Sequence, residues 1–243
     1  MDSSISIIIP ARLRSTRLPN KMLLDVHGLP LIVRTAKQAM RAGFPVLVAY
    51  DDEALRKILD DHQIPSIATQ PSHDNGTERL AEVVITKRFD DEAIVVNVQG
   101  DEPLLPPELI QQVVHTLQAN PNAAMATLAC PCMNPDSPNV VKVVCNQAGE
   151  ALYFSRAPIP VVRDGGAFPY LRHLGIYAYR AKTLKRYTQL SPTPLEQAEK
   201  LEQLRFLEHG LTIAVGQVQS APPHGVDTHE DWLSICNYLS DLK

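Results

Sequence analysis

The chain is 243 residues long, 44% hydrophobic and 21% charged, and carries a formal net charge of −4. Such a length buries a sizeable core without a metal or disulfide staple, and the acidic balance excludes a protein that coats duplex nucleic acid or an anionic membrane surface. Four cysteines are too few for a disulfide framework, so a reducing cytoplasm is expected; no apolar run approaches the roughly 18 residues of a membrane span, and the N-terminus has no basic stretch of a signal peptide.

In chain order, Ile5 to Ile9 reads as a buried strand closed by Pro10. Pro30 to Gly43 reads as a helix, with Leu31, Ala36, Ala39 and Met40 on its apolar side and Gly43 as its stop. Val46 to Ala49 is a second strand and Glu53 to His62 a second helix, and Thr77 is placed to cap a third through Leu80, Ala81 and Val84. Ala93 to Val98 is a strand and a helix follows Pro107. These apolar runs are continuous rather than alternating, as strands covered on both faces require.

After about residue 120 the rhythm changes. Strands are predicted over Met125 to Cys130, Val140 to Cys145, Ala151 to Phe154, Leu174 to Tyr179 and Thr212 to Val218. Asn146 to Gly149 suits a hairpin turn. Helices are expected near 181–189, 194–209 and 228–242, the second opened by a capping box of Thr193, Pro194 and Glu196. No linker or repeat interrupts the chain. The expectation is one α/β domain over 1–243, a mostly parallel sheet with helices on both faces and a mixed-sheet extension in its second half.

The glycines form no dinucleotide fingerprint and no P-loop, and neither a nucleophile elbow nor a zinc-protease motif occurs. The first positive signal is Arg12, Arg14, Arg17 and Lys21, clustered directly after the first strand. Open α/β sheets bind ligands at that end of a strand, and arginine forks with a lysine could neutralise a polyphosphate. The second is Gln99-Gly100-Asp101-Glu102 after the Ala93 to Val98 strand. The third is Gly225-Val226-Asp227, just outside a helix that Thr228 and Asp231 cap with Asp in the usual Glu position. Asp101 and Asp227 together would make a two-carboxylate Mg²⁺ site. Cys130 and Cys132 share a strand face, but no complementary pair at zinc spacing follows.

Seven segments in order, "PARLRSTRLPNK", "HDNGTERLAEVV", "VNVQGDEPLLP", "ALYFSRAPIP", "LRHLGIYAYR", "LEQLRFLEHG" and "GVDTHED", resemble the CMP-Kdo synthetase (3-deoxy-manno-octulosonate cytidylyltransferase) family over essentially the whole chain. The resemblance implies a nucleotidyltransferase-type fold, with about 1–120 holding the nucleotide and about 121–243 the sugar and a homodimer contact. It implies CMP transfer from CTP to a 3-deoxy-octulosonate sugar acid, with Mg²⁺ as cofactor, in lipopolysaccharide synthesis. It departs from the family pattern at Asn20, where glycine is usual, at Met22, where proline is usual, and at Leu13 and Val161, where aromatic residues are usual.

By the same resemblance, Arg12, Arg17 and Lys21 hold the triphosphate, while Gly76, Thr77 and Arg79 approach the nucleotide. Gln99 and Asp101 face the reacting centre, and Asp101 and Asp227 hold the metal. Lys21, Asp101, Asp227 and Arg17 carry the catalysis. On the sugar side, Arg156 and Arg163 are two candidates for the carboxylate, since a guanidinium fork fits it bidentately. His173 and Tyr177 share a strand face. Glu202 and Gln203 face the sugar hydroxyls by resemblance. On a helical wheel Glu202 falls among Leu195, Ala198 and Phe206, and an i,i+3 pair with Arg205 is the competing explanation. Cytidylyltransfer to an 8-amino analogue or a sialic acid, and a non-catalytic nucleotide-sugar-binding module, are the alternative functions.

Overall fold

Alternate residues of a strand face opposite sides of a sheet, and the first strand buries both. In the computed structural model, which describes residues 4–15 and 18–241, strand β1 (Ile5–Ala11) sends Ile7 and Ile9 into one core and Ile8 into the other. The first core is closed by helices α1 (Leu31–Met40), α2 (Glu53–Asp61) and α4 (Pro107–Ala119). The second is closed by α3 (Gly76–Thr86), α5 (Ala181–Tyr187) and α7 (Gln203–Glu208). Helices on both faces are the reason the strand sequences are continuously apolar.

The remaining strands are β2 (Val46–Tyr50), β3 (Ser66–Ala68), β4 (Ile94–Asn97), β5 (Met125–Pro131), β6 (Lys142–Cys145), β7 (Ala151–Ser155), β8 (Leu171–Arg180) and β9 (Ile213–Gln217). They join β1 in one sheet of order β3-β2-β1-β4-β8-β5-β9, with β6 bridging β7 and β8. On that path β8 is antiparallel to both β4 and β5, and the other pairings are parallel. The antiparallel β6–β7 hairpin is the mixed extension, turned at Asn146 to Gly149, where Gly149 has φ 78°. The order reverses at β1, between β2 and β4. Such a switch point leaves a crevice at the strands' carboxyl ends.

Three expectations are corrected. Pro10 does not close β1, which continues to Ala11 in register with Tyr50. The Ile8 carbonyl faces β4 and accepts from Val98 N at 3.3 Å, so the missing Pro10 N–H points the same way, past the end of the β1–β4 ladder at Asn97. Thr77 does not cap α3; Asn75 does, its side chain accepting from Glu78 N at 2.8 Å. The expected helix over 194–209 is two, α6 (Pro194–Glu199) and α7, broken where Lys200 takes the left-handed conformation at φ 55°. The last helix, α8 (His229–Asp241), packs Ile235 against Val26 and Leu31. Its cap is as expected: Thr228 Oγ1 accepts from Asp231 N at 3.2 Å and Asp231 Oδ2 accepts from Thr228 N at 2.8 Å.

Candidate active site

Where β1 outruns β4, the crevice opens into a cavity of about 670 Å³. Pro10, Arg12, Arg14 and Lys21 line it from the β1 side, Asn97, Gln99 and Asp101 from β4, and Gly76, Thr77 and Arg79 from the start of α3. Arg156, Tyr177, Tyr179, Lys200, Glu202, Gln203 and Asp227 also line it. Sequence positions from Pro10 to Asp227 thus meet at one place.

At its floor, Lys21 is buried on a 3-10 turn (Lys21–Leu23), and its Nζ donates to Asp101 Oδ2 at 2.5 Å and to Asp227 Oδ1 at 3.2 Å. Asn20 enters this turn at φ 54°. That is the left-handed region, which asparagine tolerates best among residues with a Cβ, so asparagine can stand where the family has glycine. The two carboxylates meet because their backbones do. Val226 N donates to the Asp101 carbonyl at 2.8 Å, and a Cβ on Gly225 would stand 2.9 Å from that oxygen. A convergent pair of partly exposed carboxylates is a donor set that fits Mg²⁺.

Arg12 is exposed, its Nη1 donating to the Asp74 carbonyl at 3.2 Å. Arg79 is buried; it donates to Thr69 Oγ1 and, at 3.0 Å, to Asp51 Oδ2. Asp51 Oδ1 in turn accepts from Leu13 N at 3.1 Å, so Arg79 anchors the loop that carries Arg12 as well as lining the cavity. Arg17 lies outside the described residues.

On the opposite wall, the Tyr177 hydroxyl donates to Gln203 Oε1 at 3.3 Å and Thr77 Oγ1 donates to Glu202 Oε2 at 2.9 Å. Burial pushes the Glu202 carboxyl up, opposed by the Thr77 hydrogen bond. Arg205 does not pair with Glu202. It forks onto Glu196, with Nε to Oε2 and Nη2 to Oε1 both at 2.7 Å. Arg156 donates from Nε to the Glu199 carbonyl at 2.8 Å and from Nη1 to Pro138 O at 3.0 Å, leaving Nη2 without a partner among the described residues. Arg163 is not brought to the cavity; it is exposed on the segment between β7 and β8. His173 lines a separate space of about 70 Å³ with Glu102, Arg172 and His224. Burial and the neighbouring Asp101 push Glu102 up to about 8.

Burial holds His173 neutral, its pKa lowered to about 3. Between its unfolded value near 6.5 and that depressed value, the unfolded chain binds a proton that the folded chain refuses. Its contribution to stability is therefore present above pH 6.5 and is lost progressively below it. From pH 7 to pH 5, the unfolding free energy of the wild type should fall by about 2 kcal/mol more than that of His173→Gln, read from urea melts at each pH. Parallel pH profiles would mean that His173 titrates normally.

Sequence reasoning missed Asn97 and Tyr179. Asn97 is buried in the cavity wall and its Oδ1 has no hydrogen-bond partner among the described residues. Its signal was available: it is a lone amide ending an otherwise apolar strand.

A family model described as cytidylyltransferase matches residues 6–213. A 3-deoxy-manno-octulosonate cytidylyltransferase of Dichelobacter nodosus is 62% identical over 233 residues, covering 95% of this chain and 96% of that protein. One from Polynucleobacter asymbioticus is 53% identical, covering 93% and 91%. A solved structure of CMP:2-keto-3-deoxy-manno-octonic acid synthetase complexed with CTP superposes with a TM-score of 0.94 at 38% identity, covering 99% of this chain and 100% of that one.

Proposed function

The chain belongs to the 3-deoxy-manno-octulosonate cytidylyltransferase family, and we propose that it transfers CMP from CTP to the anomeric hydroxyl of 3-deoxy-manno-octulosonate (Kdo). The anomeric oxygen attacks the α-phosphorus, the bond to the β-phosphate oxygen breaks, and pyrophosphate leaves. The hydroxyl's proton passes to solvent; an anomeric hydroxyl is acidic enough that no strong base is needed. The observation that carries the reading is the convergence of Lys21, Asp101 and Asp227 at the floor of a cavity that Arg156, Lys200, Glu202, Gln203 and Tyr177 also line.

Catalysis in this site is positioning and charge stabilisation. Arg12, Arg14 and Lys21 supply positive charge to the triphosphate, and the start of α3, at Gly76 and Thr77 in the cavity wall, adds backbone N–H groups. Asp101 and Asp227 would hold Mg²⁺, which when bound neutralises charge on the phosphate oxygens. Arg156 is the cavity's candidate for the sugar carboxylate, with Nη2 uncommitted. Gln203, Tyr177 and Glu202 supply donors and acceptors for hydroxyls. We further propose a cytoplasmic homodimer that activates the sugar for lipopolysaccharide synthesis. Met133, Val161 and Phe168, exposed by 94%, 84% and 42% in the second half, are apolar surface that a second copy would cover. Among the described residues no helix is long and apolar enough to cross a membrane.

Pyrophosphate release tests the reaction. With CTP, the purified chain should turn over Kdo faster than a sialic acid or an 8-amino analogue, and faster than with any other nucleoside triphosphate. Preference for one of those other sugars would reassign the substrate. Tight CTP binding with no release for any sugar acid would favour the non-catalytic module.

A further inference from the structure

The strand β8 is not regular where it meets β5. Leu128 pairs with Leu174, yet Thr127 pairs with Tyr177, so Gly175 and Ile176 have no counterparts on β5. Such a bulge bends its strand and leaves ladder groups unpaired. Here the Thr127 hydroxyl fills the gap. It is fully buried, with Oγ1 3.0 Å from the Leu174 carbonyl, 2.8 Å from the Ile176 carbonyl and 3.0 Å from His173 Nε2.

The proton count fixes the direction of these bonds. Both carbonyls can only accept, so the single hydroxyl proton goes to them and the oxygen accepts from His173 Nε2–H. That requires the neutral ring to carry its proton on Nε2, in keeping with a pKa lowered to about 3 by burial. The bulge also shortens the distance between side chains. Residues four apart on a regular strand are separated by about 13 Å, whereas the rings of His173 and Tyr177 lie 5.5 Å apart, with the Phe154 ring edge-on to His173 at 4.9 Å. Gly175, thrown out of the ladder, lines the cavity beside Tyr177.

We propose that Thr127 is a positioning residue for the sugar side of the site: its hydroxyl latches the β8 bulge and the His173 ring, and thereby holds Tyr177 against Gln203 in the cavity wall. The proposal rests on the cytidylyltransferase reading. Without the hydroxyl, the proton shared by the Leu174 and Ile176 carbonyls and the acceptor of the ring N–H are lost, a loss that favours return of β8 to regular pairing and withdrawal of Tyr177.

Two variants of the full chain test it. Thr127→Val keeps the shape and removes the hydroxyl; Thr127→Ser keeps the hydroxyl. Thr127→Val should raise KM for the sugar acid by about tenfold or more, leaving kcat and calorimetric CTP binding within about twofold. Thr127→Ser should restore the sugar KM. An unchanged sugar KM in Thr127→Val with only a lower Tm, or equal losses for sugar and CTP, would overturn the proposal. Nitrogen-15 shifts of the wild-type His173 ring supply a measurement that needs no variant to fold. Protonation at Nε2 is expected, and an Nδ1–H ring would refute the latch. Failure of the wild type to release pyrophosphate with any sugar acid overturns the functional reading instead, and the ring measurement tells the two failures apart.

Discussion

Asp101→Asn and Asp227→Asn should each lower pyrophosphate release by about 10³-fold, and Lys21→Met by at least about 10²-fold, the scale of losing one preorganised charge-stabilising group. Tm should hardly move for the two carboxylates. Their side chains are 25% and 47% exposed, so neither sits in a packed core whose loss would unfold the chain. Two like charges are brought together by backbone contacts at Gly225 and Val226, and the Lys21 ammonium donates to both. An arrangement that gathers charge is suited to a polyanion with its counter-cation rather than to folding. Excess chelator should abolish turnover of the wild type, and added Mg²⁺ should restore it. Full activity in chelator would remove the metal from the mechanism, and an unfolded Asp101→Asn would make that carboxylate structural.

The strand and helix order was legible because burial on both faces leaves continuous apolar runs, which no loop imitates. The charged residues that line the cavity were legible for a related reason. Arg12 directly follows β1, and Lys21 and Asp101 lie in the connections that leave β1 and β4, strands whose ends the sheet topology turns into a crevice. What stayed hidden depends on backbone conformations that side-chain identity does not announce. Lys200 at φ 55° breaks a helix without glycine or proline, and the insertion of Gly175 and Ile176 in β8 is a matter of register with β5. The three-residue β3 holds one strongly apolar residue, Ile67, too little for a periodic signal. His173 and Tyr177 were placed on one face by alternation, but their contact comes from the bulge. Thr77, read as a cap, is freed by Asn75 to bond Glu202, a long-range partnership that local sequence does not encode.

The helical wheel left Arg205 as the competing partner of Glu202, but Arg205 pairs with Glu196 instead, so substitutions at Arg205 and Glu202 should have opposite consequences. Arg205 and Glu196 form a buried, bidentate ion pair with side chains 8% and 10% exposed, and the guanidinium carbon lies 4.6 Å from the centre of the Tyr187 ring. Removing one partner strands the other charge out of water, which costs about 3–5 kcal/mol. Arg205→Gln should therefore destabilise the chain by that amount in urea melts, with the sugar KM of the folded fraction unchanged. Among the described residues Glu202 has no such partner. Its carboxylate accepts from the Thr77 hydroxyl and lines the cavity. Glu202→Gln keeps the size and one acceptor while removing charge, so Tm should stay within a few degrees. The sugar KM should rise by about 10–100-fold, since a site that reads hydroxyls leaves buried groups unpaired when one member changes. CTP affinity measured without sugar should not change. If Glu202→Gln left the sugar KM intact, the pocket's hydroxyl recognition would fall to Gln203, Tyr177 and Asn97, and the helix break would have no role beyond seating Gln203.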